Sequence, residues 1–475
     1  IAISFLFFII TAIPNLLGTN KGDSPTFTTQ IDEEACGDVD LPNIIVISFD
    51  SLAAQDMSLY GYDLPTTPFW EEMARFSFVF DRAHSNSNRT LPSLSTLLTG
   101  KYPWSHGVYK EGDHVREDKV RENLLALLPE YCSAAIISTN YAYPQFMGLD
   151  NQFDYVRWSN KGNSFAMVTL TRFLERSLRT PVFQIMMPGL RHYFYLNSNE
   201  QKDKEIYGET FDRSREFLKK LSKKPFFLWT HIWPPHLPYL PPDPFKKKFL
   251  PIDDDDSFML LFPAFYKPSQ QHLVDKLRLR YDELILFSDY RLKKFVRDLI
   301  DLELYDESIV IILGDHGEGF EKLWFSHGGH LLNEPVIHIP LLIKMPRQNK
   351  GVRIKAVAGV VDVAPTILDM LGRQAPEWMD GESLLPYMKD RSLRTPVTKY
   401  SMINAEFKDM TVDLVAAYRD NYKLIYDLRT DESLLYNMKL DVAESRDLKD
   451  IYPEIARSLK EDIMRDIERK YFDQQ

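Results

Sequence analysis

The sequence predicts an α/β fold: a mostly parallel sheet flanked by helices on both faces, with a small antiparallel sheet and a terminal helix at the C-terminal end. Two observations carry this prediction. Short, unbroken apolar runs rich in β-branched residues recur along the chain and alternate with amphipathic helical stretches. Near Ala405 that texture gives way to alternating apolar and polar residues separated by turn signals. A parallel strand covered on both faces reads as a continuous apolar run, whereas a half-solvated antiparallel strand alternates.

The elements follow in order. "NIIVISFD" is a buried strand ending in an acid, and "TTPFWEEMARFS" has helical spacing with a Thr-Pro start. Around Thr90, "TLPSLSTLLTG" reads as a helix, with Pro92 in its first turn and Gly100 at its C-terminal stop. "CSAAIISTN" is a second buried strand. "ETFDRSREFLKKLSKK" is an amphipathic helix leading into the strand "PFFLWTHIW". "YDELILFSDYRLKKFVRDLIDLEL" is a long helix, "SIVIILGDHGEGF" a strand and loop, and "VIHIPLLIKMP" a further strand. "LVAAYRDNYKLIYDLRTDESLLYNM" forms the small antiparallel sheet, and "YPEIARSLKEDIMRDIERK" the closing helix. The domain plan is a large α/β domain over 43–400 and a C-terminal subdomain over 401–475. The apolar, uncharged residues 1–18 are expected to be the end of a transmembrane helix, joined by a polar linker over 19–42. The stretch from Lys161 to Glu200 is aromatic and irregular and reads as ordinary packing, with a substrate-side insertion or a membrane-facing patch as alternatives.

Of 475 residues, 44% are hydrophobic and 26% charged, a globular composition. The net charge of −11 leaves no basic excess to neutralise phosphates, which argues against a general nucleic-acid role. Small anionic substrates remain open, because a bound cation reverses the local field. Two cysteines, Cys36 and Cys132, are too few for a disulfide framework and lack the spacing of a metal site.

Ligands of open parallel sheets bind beyond the carboxyl ends of the strands. The residues there are Asp50, then His231 and His236, then Asp315 and His316. Asp50, Asp315 and His316 together could hold one divalent cation, and zinc, manganese, calcium and magnesium all suit carboxylates with an imidazole. Thr90 lies at or just before a helix N-terminus. Its local sequence favours an N-cap, yet the same place offers free N–H groups and a positive dipole to a tetrahedral anion.

These motifs, in this order, resemble the sulfatase branch of the alkaline phosphatase superfamily. "NIIVISFDSLAAQDMSLYGYDLPTTPFWEEMA" is similar to the family's opening strand and metal aspartate. "TLPSLSTLLTGKYPWSHGV" is similar to its nucleophile signature, and "PFFLWTHIWPPHLPYLPP" to a loop with a substrate histidine. "SIVIILGDHGEGFEKLWFSHGGH" is similar to its second metal motif. The resemblance implies Asp50, Asp315 and His316 as ligands of one divalent cation, with Thr90 as nucleophile and further ligand. It implies His236 and His327 as catalytic and substrate-contacting groups, with His330 and Lys101 as further substrate contacts. His231, His106 and His84 have no counterpart and are read as structural or surface residues. Three departures stand out: threonine replaces the cysteine or serine from which formylglycine is made, Leu94 replaces the signature arginine, and Ser51 replaces a second aspartate. Threonine there is similar to phosphotransferase and phosphodiesterase relatives. The implied function is therefore a metal-dependent hydrolase or transferase acting on phosphoesters through Thr90, with a small anionic ester or lipid head-group as substrate. The alternatives are a sulfuric ester hydrolase without formylglycine and an inactive binding or scaffold protein of the same fold. The implied location is membrane-anchored, with the catalytic domain outside the cytoplasm.

Overall fold

The fold, a computed structural model, is described for residues 39–158, 200–221, 225–250, 265–390, 393, 398–407 and 410–472. Eight strands make the main sheet: β1 (Asn43–Phe49), β2 (Phe78–His84), β3 (Cys132–Ile137), β4 (Tyr155–Trp158), β5 (Phe226–Ile232), β6 (Ser308–Gly314), β7 (His338–Lys344) and β8 (Val352–Gly359). Their order is β4-β3-β5-β1-β6-β7-β2-β8. All neighbours are parallel except β7, which runs antiparallel to both β6 and β2.

The apolar runs are continuous because both faces of the sheet are covered. On β1, Ile44 and Val46 join the core on one face, with Leu94, Leu97 and Leu98 of α2 (Thr90–Thr99) and Ile367 of α5 (Val363–Met370). Ile45, Ile47 and Phe49 point to the other. There they meet Trp70 of α1 (Pro68–Ala74), Phe211 of α3 (Glu200–Leu221) and Tyr281 and Phe295 of α4 (Gln271–Asp301). The long helix begins ten residues before the predicted start, because Val274 and Leu277 continue its buried stripe.

The second sheet is fully antiparallel, in the order β12-β11-β10-β9, from β9 (Lys399–Phe407), β10 (Met410–Arg419), β11 (Tyr422–Asp427) and β12 (Ser433–Asn437). Arg419 pairs with Tyr422 across a two-residue turn, and Asp420 takes φ 54°, the left-handed conformation that such turns require. Helix α6 (Pro453–Phe472) sets Leu459 and Ile463 against Val415, Leu424 and Leu435 of this sheet.

Four strands were not foreseen: β9 of the small sheet and, in the main sheet, β2, β4 and β8. β2 carries Asp81 and Arg82, β8 alternates charged with apolar residues, and β4 is a four-residue edge strand. The N-terminal apolar run and residues 159–199 lie outside the described residues. Among the described residues no helix is long and apolar enough to cross a membrane. Cys132, at the start of β3, is disulfide-bonded.

Candidate active site

Three central strands deliver the site. β1 ends next to Asp50, whose N–H donates to the Ile232 carbonyl of β5 at 2.9 Å. β6 ends next to Asp315, whose N–H donates to the Phe49 carbonyl at 3.0 Å. Ser51, immediately after Asp50, takes φ 62°, an uncommon conformation for a residue with a Cβ. Its N–H then donates to Asp315 Oδ1 at 3.0 Å. The Tyr281 hydroxyl pins the kink, donating to the Ser51 carbonyl at 2.6 Å and accepting the Ala53 N–H at 2.9 Å.

Helix α2 is tied to the same strand ends. Ser85 and Ser93 hydroxyls both donate to the Asp315 carbonyl, at 2.5 and 2.6 Å. Thr90 is the first helical residue, after Arg89 in extended backbone, and no side-chain cap is formed. Its Oγ1 instead lies 3.2 Å from His316 Nε2 and 3.5 Å from Asp50 Oδ1. His316 Nδ1 donates to the Gly317 carbonyl at 2.9 Å, which fixes the tautomer and leaves Nε2 as the lone-pair nitrogen. That Nε2 is 3.7 Å from both Asp50 Oδ1 and Asp315 Oδ2. Gly317 is required by close approach, since a Cβ there would sit 2.0 Å from the Pro335 carbonyl oxygen.

His231 completes the cluster. Its Nδ1 lies 2.8 Å from the Ser48 hydroxyl oxygen, which also accepts the Trp229 indole N–H at 2.9 Å. Its Nε2 lies 3.7 Å from Asp50 Oδ2. Ligand atoms of Asp50, His231 and Asp315 fall within 4.8 Å of one another. Asp315 Oδ2 and His231 Nε2 are buried with no hydrogen-bond partner. Orphaned, buried carboxylate and imidazole atoms converging in this way fit a divalent cation.

Burial alone raises the Asp50 pKa, but His236, His231 and His316 outweigh it and hold the carboxyl well below its ordinary range. Burial and then the charge of Asp50 push Asp315 well up. His316 is lowered to about 3 by burial and the neighbouring His327, and His327 to about 3 by burial and His236. Neutral imidazoles are the ligand and acceptor forms. Burial pushes Glu318 up to about 7, against the pull of His236 and His316.

Above Thr90 opens a cavity of about 270 Å³, whose walls include Arg89, Glu111, Tyr141, His236 and His327. The His236 and His327 rings are 4.8 Å apart between centroids. His327 Nδ1 faces Glu318 Oε1 at 3.0 Å and Ser51 Oγ at 3.2 Å. Two predicted contacts are not brought here. Lys101 is buried, with its ammonium paired to Glu122 and 4.9 Å from the centre of the Trp378 ring, so its charge is engaged elsewhere. His330 packs between Phe265 and Trp324. Leu94, where the signature arginine was expected, is fully buried core. Conversely, His231, read as structural, sits among the ligand atoms. Its position at a strand end was the signal. Arg89, Glu111 and Glu318 were also missed, and of these only Arg89, next to Thr90, and Glu318, two residues past His316, lay near a recognised motif.

A mostly parallel sheet with a cation-ready cluster and a buried hydroxyl at its carboxyl edge is an arrangement suited to opening an anionic ester. The chain belongs to the sulfatase family, within the alkaline phosphatase superfamily: the sulfatase profile matches residues 42–373, and that of the N-sulphoglucosamine sulphohydrolase C-terminal region matches residues 320–470. Arylsulfatase K of Mus musculus is 23% identical over 456 residues, covering 88% of this chain and 78% of its own. The multifunctional alkaline phosphatase superfamily protein PehA of Trinickia caryophylli is 26% identical over 302 residues, covering 52% of this chain and 58% of its own. The solved phosphonate monoester hydrolase SpPMH from Silicibacter pomeroyi shares the fold, with a TM-score of 0.68 at 17% identity over 90% of this chain and 96% of that one.

Proposed function

We propose that this protein cleaves small anionic phosphoesters in two steps through a covalent phospho-threonine at Thr90. The observation that carries the reading is the Thr90 hydroxyl itself: it caps no helix and stands 3.2 Å from His316 Nε2 and 3.5 Å from Asp50 Oδ1. Asp50, Thr90, Asp315 and His316 would hold one divalent cation (zinc, manganese, calcium or magnesium), with His231 as a further nitrogen ligand. When bound, the cation makes the Thr90 hydroxyl acidic and offsets charge on the transferred group.

Thr90 Oγ1 releases its proton to water in the cavity and attacks phosphorus in line. An O–P bond forms as the bond to the leaving alkoxide breaks. His236 donates a hydrogen bond from Nδ1 to the Leu237 carbonyl at 2.5 Å, leaving Nε2 to accept a hydrogen from a protonated oxygen of the transferred group or from its hydration water. His327 delivers a proton from Nε2 to the leaving oxygen and recovers one at Nδ1 from Glu318, which burial keeps protonated up to about pH 7. Water, or an acceptor alcohol in a transfer reaction, then attacks phosphorus. The attacking group's proton returns through His327 to Glu318, and the departing Thr90 oxygen takes up a proton from water.

Sulfate esters are the second reading, favoured by the likeness to arylsulfatase K. Phosphorus is preferred on chemical grounds. A formylglycine hydrate expels sulfate by breaking its own C–O bond, whereas threonine has no such route and its ester must be opened at the central atom. The disulfide-bonded Cys132 suits an oxidising compartment outside the cytoplasm.

The test is turnover of bis-aryl phosphate, aryl phosphate and aryl sulfate by purified protein supplied with each cation in turn. Phosphodiester turnover is expected, and Thr90→Ala should lower it by roughly 10³-fold or more with an unchanged circular dichroism spectrum. Full activity in Thr90→Ala would overturn the mechanism. Turnover of aryl sulfate alone would favour the second reading, and no turnover under any condition would favour a binding or scaffold role.

A further inference from the structure

The family's signature arginine is absent, and the structure shows what stands there: Leu94, fully buried among core leucines. Lys101, the other basic candidate, is engaged with Glu122. The cavity still has one guanidinium, from a residue that no motif marks. Arg89 precedes Thr90 in extended backbone and lines the cavity together with Thr90, His236 and His327.

We propose that Arg89 is an oxyanion-binding residue of this site, contacting the tetrahedral group transferred to Thr90, and that Glu111 restrains it. This rests on the reading of the cavity as an ester-cleaving site and assigns a residue beyond it. Arg89 is held at two points. Its Nη1 donates to Glu111 Oε2 at 2.7 Å, and its Nη2 donates to the Gly328 carbonyl at 2.6 Å, beside His327. Its Nε is buried with no partner. A guanidinium has five donors in a planar fork, so two bonds leave it able to take a tetrahedral oxyanion. A buried donor without a partner favours a ligand that brings an acceptor. The side chain is only 15% exposed, so little bulk water competes for the anion.

Glu111 makes the arrangement adjustable. Its side chain is 35% exposed and its carboxylate offsets the charge of Arg89 in the empty cavity. An arriving anion must share the guanidinium with it. The ion pair therefore weakens retention of the released anion, which favours turnover over product inhibition.

Titration calorimetry of the full chain, loaded with its cation, against inorganic phosphate and inorganic sulfate tests the assignment. Wild-type protein should bind at least one of the two, and the preferred anion identifies the central atom. Arg89→Ala should weaken that binding by roughly 10- to 100-fold, with Arg89→Lys recovering part of it. Glu111→Gln, which leaves the guanidinium in place, should bind the anion several-fold more tightly than wild type. Equal affinity in wild type and Arg89→Ala would overturn this assignment while leaving the cavity's function intact. So would a Glu111→Gln variant that binds more weakly. Wild-type protein that binds neither anion would overturn both the assignment and the reading of the site.

Discussion

Thr90 sits one position inside its helix, and that offset decides what its hydroxyl does. At the N-cap it would turn back onto the first-turn N–H groups. As the first helical residue it faces His316 and Asp50. The neighbouring ligands are tested by metal content. His231→Ala should reduce cation affinity by roughly 10- to 100-fold, read by calorimetry or elemental analysis after dialysis; unchanged affinity would return His231 to a structural role. Gly317→Ala should destabilise the fold by about 2 kcal/mol or more in denaturant melts, because backbone rather than a flexible side chain occupies the place of the new Cβ. Much of the site was legible at this scale. Asp50, Asp315 and His316 each follow an apolar run, so the strand-end rule finds them with no partner known. The same rule marks His231, which was set aside only because the resemblance assigned it nothing. Glu111 has no such signal. It lies 22 residues beyond Arg89 in an irregular loop, and only the folded chain joins them.

At the scale of elements, one buried carboxylate links two helices and makes stability depend on pH. Asp289, on α4, accepts the Phe69 N–H at 2.9 Å and the Trp70 N–H at 3.0 Å, at the start of α1. Burial pushes its pKa up to about 7 despite these bonds. Between roughly pH 4, where the carboxyl ionises in the unfolded chain, and pH 7, the folded protein holds a proton that the unfolded chain has lost. Its contribution is therefore complete at the acid end and disappears as pH rises through about 7, at a slope of up to ~1.4 kcal/mol per pH unit. Asp289→Asn should flatten the melting-temperature profile over that window; an unaltered slope would contradict the assignment. Which elements the sequence reveals follows from burial in the same way. β1, β3, β5 and β6 occupy the middle of the sheet and read as apolar runs. β8, at the edge, has Arg353 and Lys355 exposed on either side of buried Ile354, and β2, next to it, carries partly exposed charges, so neither shows the expected pattern.

Across the whole molecule, the small sheet holds the loop that carries His327. Lys423 of β11 is fully buried between Glu334 and Glu444, at 3.1 and 2.5 Å. Glu444 also accepts the Glu334 N–H at 3.1 Å through its side chain, and the Lys322 ammonium at 2.9 Å through its carbonyl. The loop needs holding, since Lys322, Leu323 and Ser326 all have positive φ. Lys423→Met leaves Glu334 and Glu444 buried without the cation they share and should cost about 3–5 kcal/mol in urea unfolding. If the clamp acts through His327, its effect on turnover should vanish in a His327→Ala background; equal losses in both backgrounds would exclude that route. The position of β1 has a consequence during synthesis. Its final neighbours lie far along the chain: Ser48 meets His231 across 183 residues, and Ser51 meets Asp315 across 264. At roughly 5–20 residues per second, β1 waits on the ribosome about 10–40 s for its first neighbour, β5, and about 15–50 s for β6. The carboxylate pair does not exist until Asp315 has emerged. A cation held by that pair could load only after this point, and a ribosome stalled earlier holds a sticky central strand with no site.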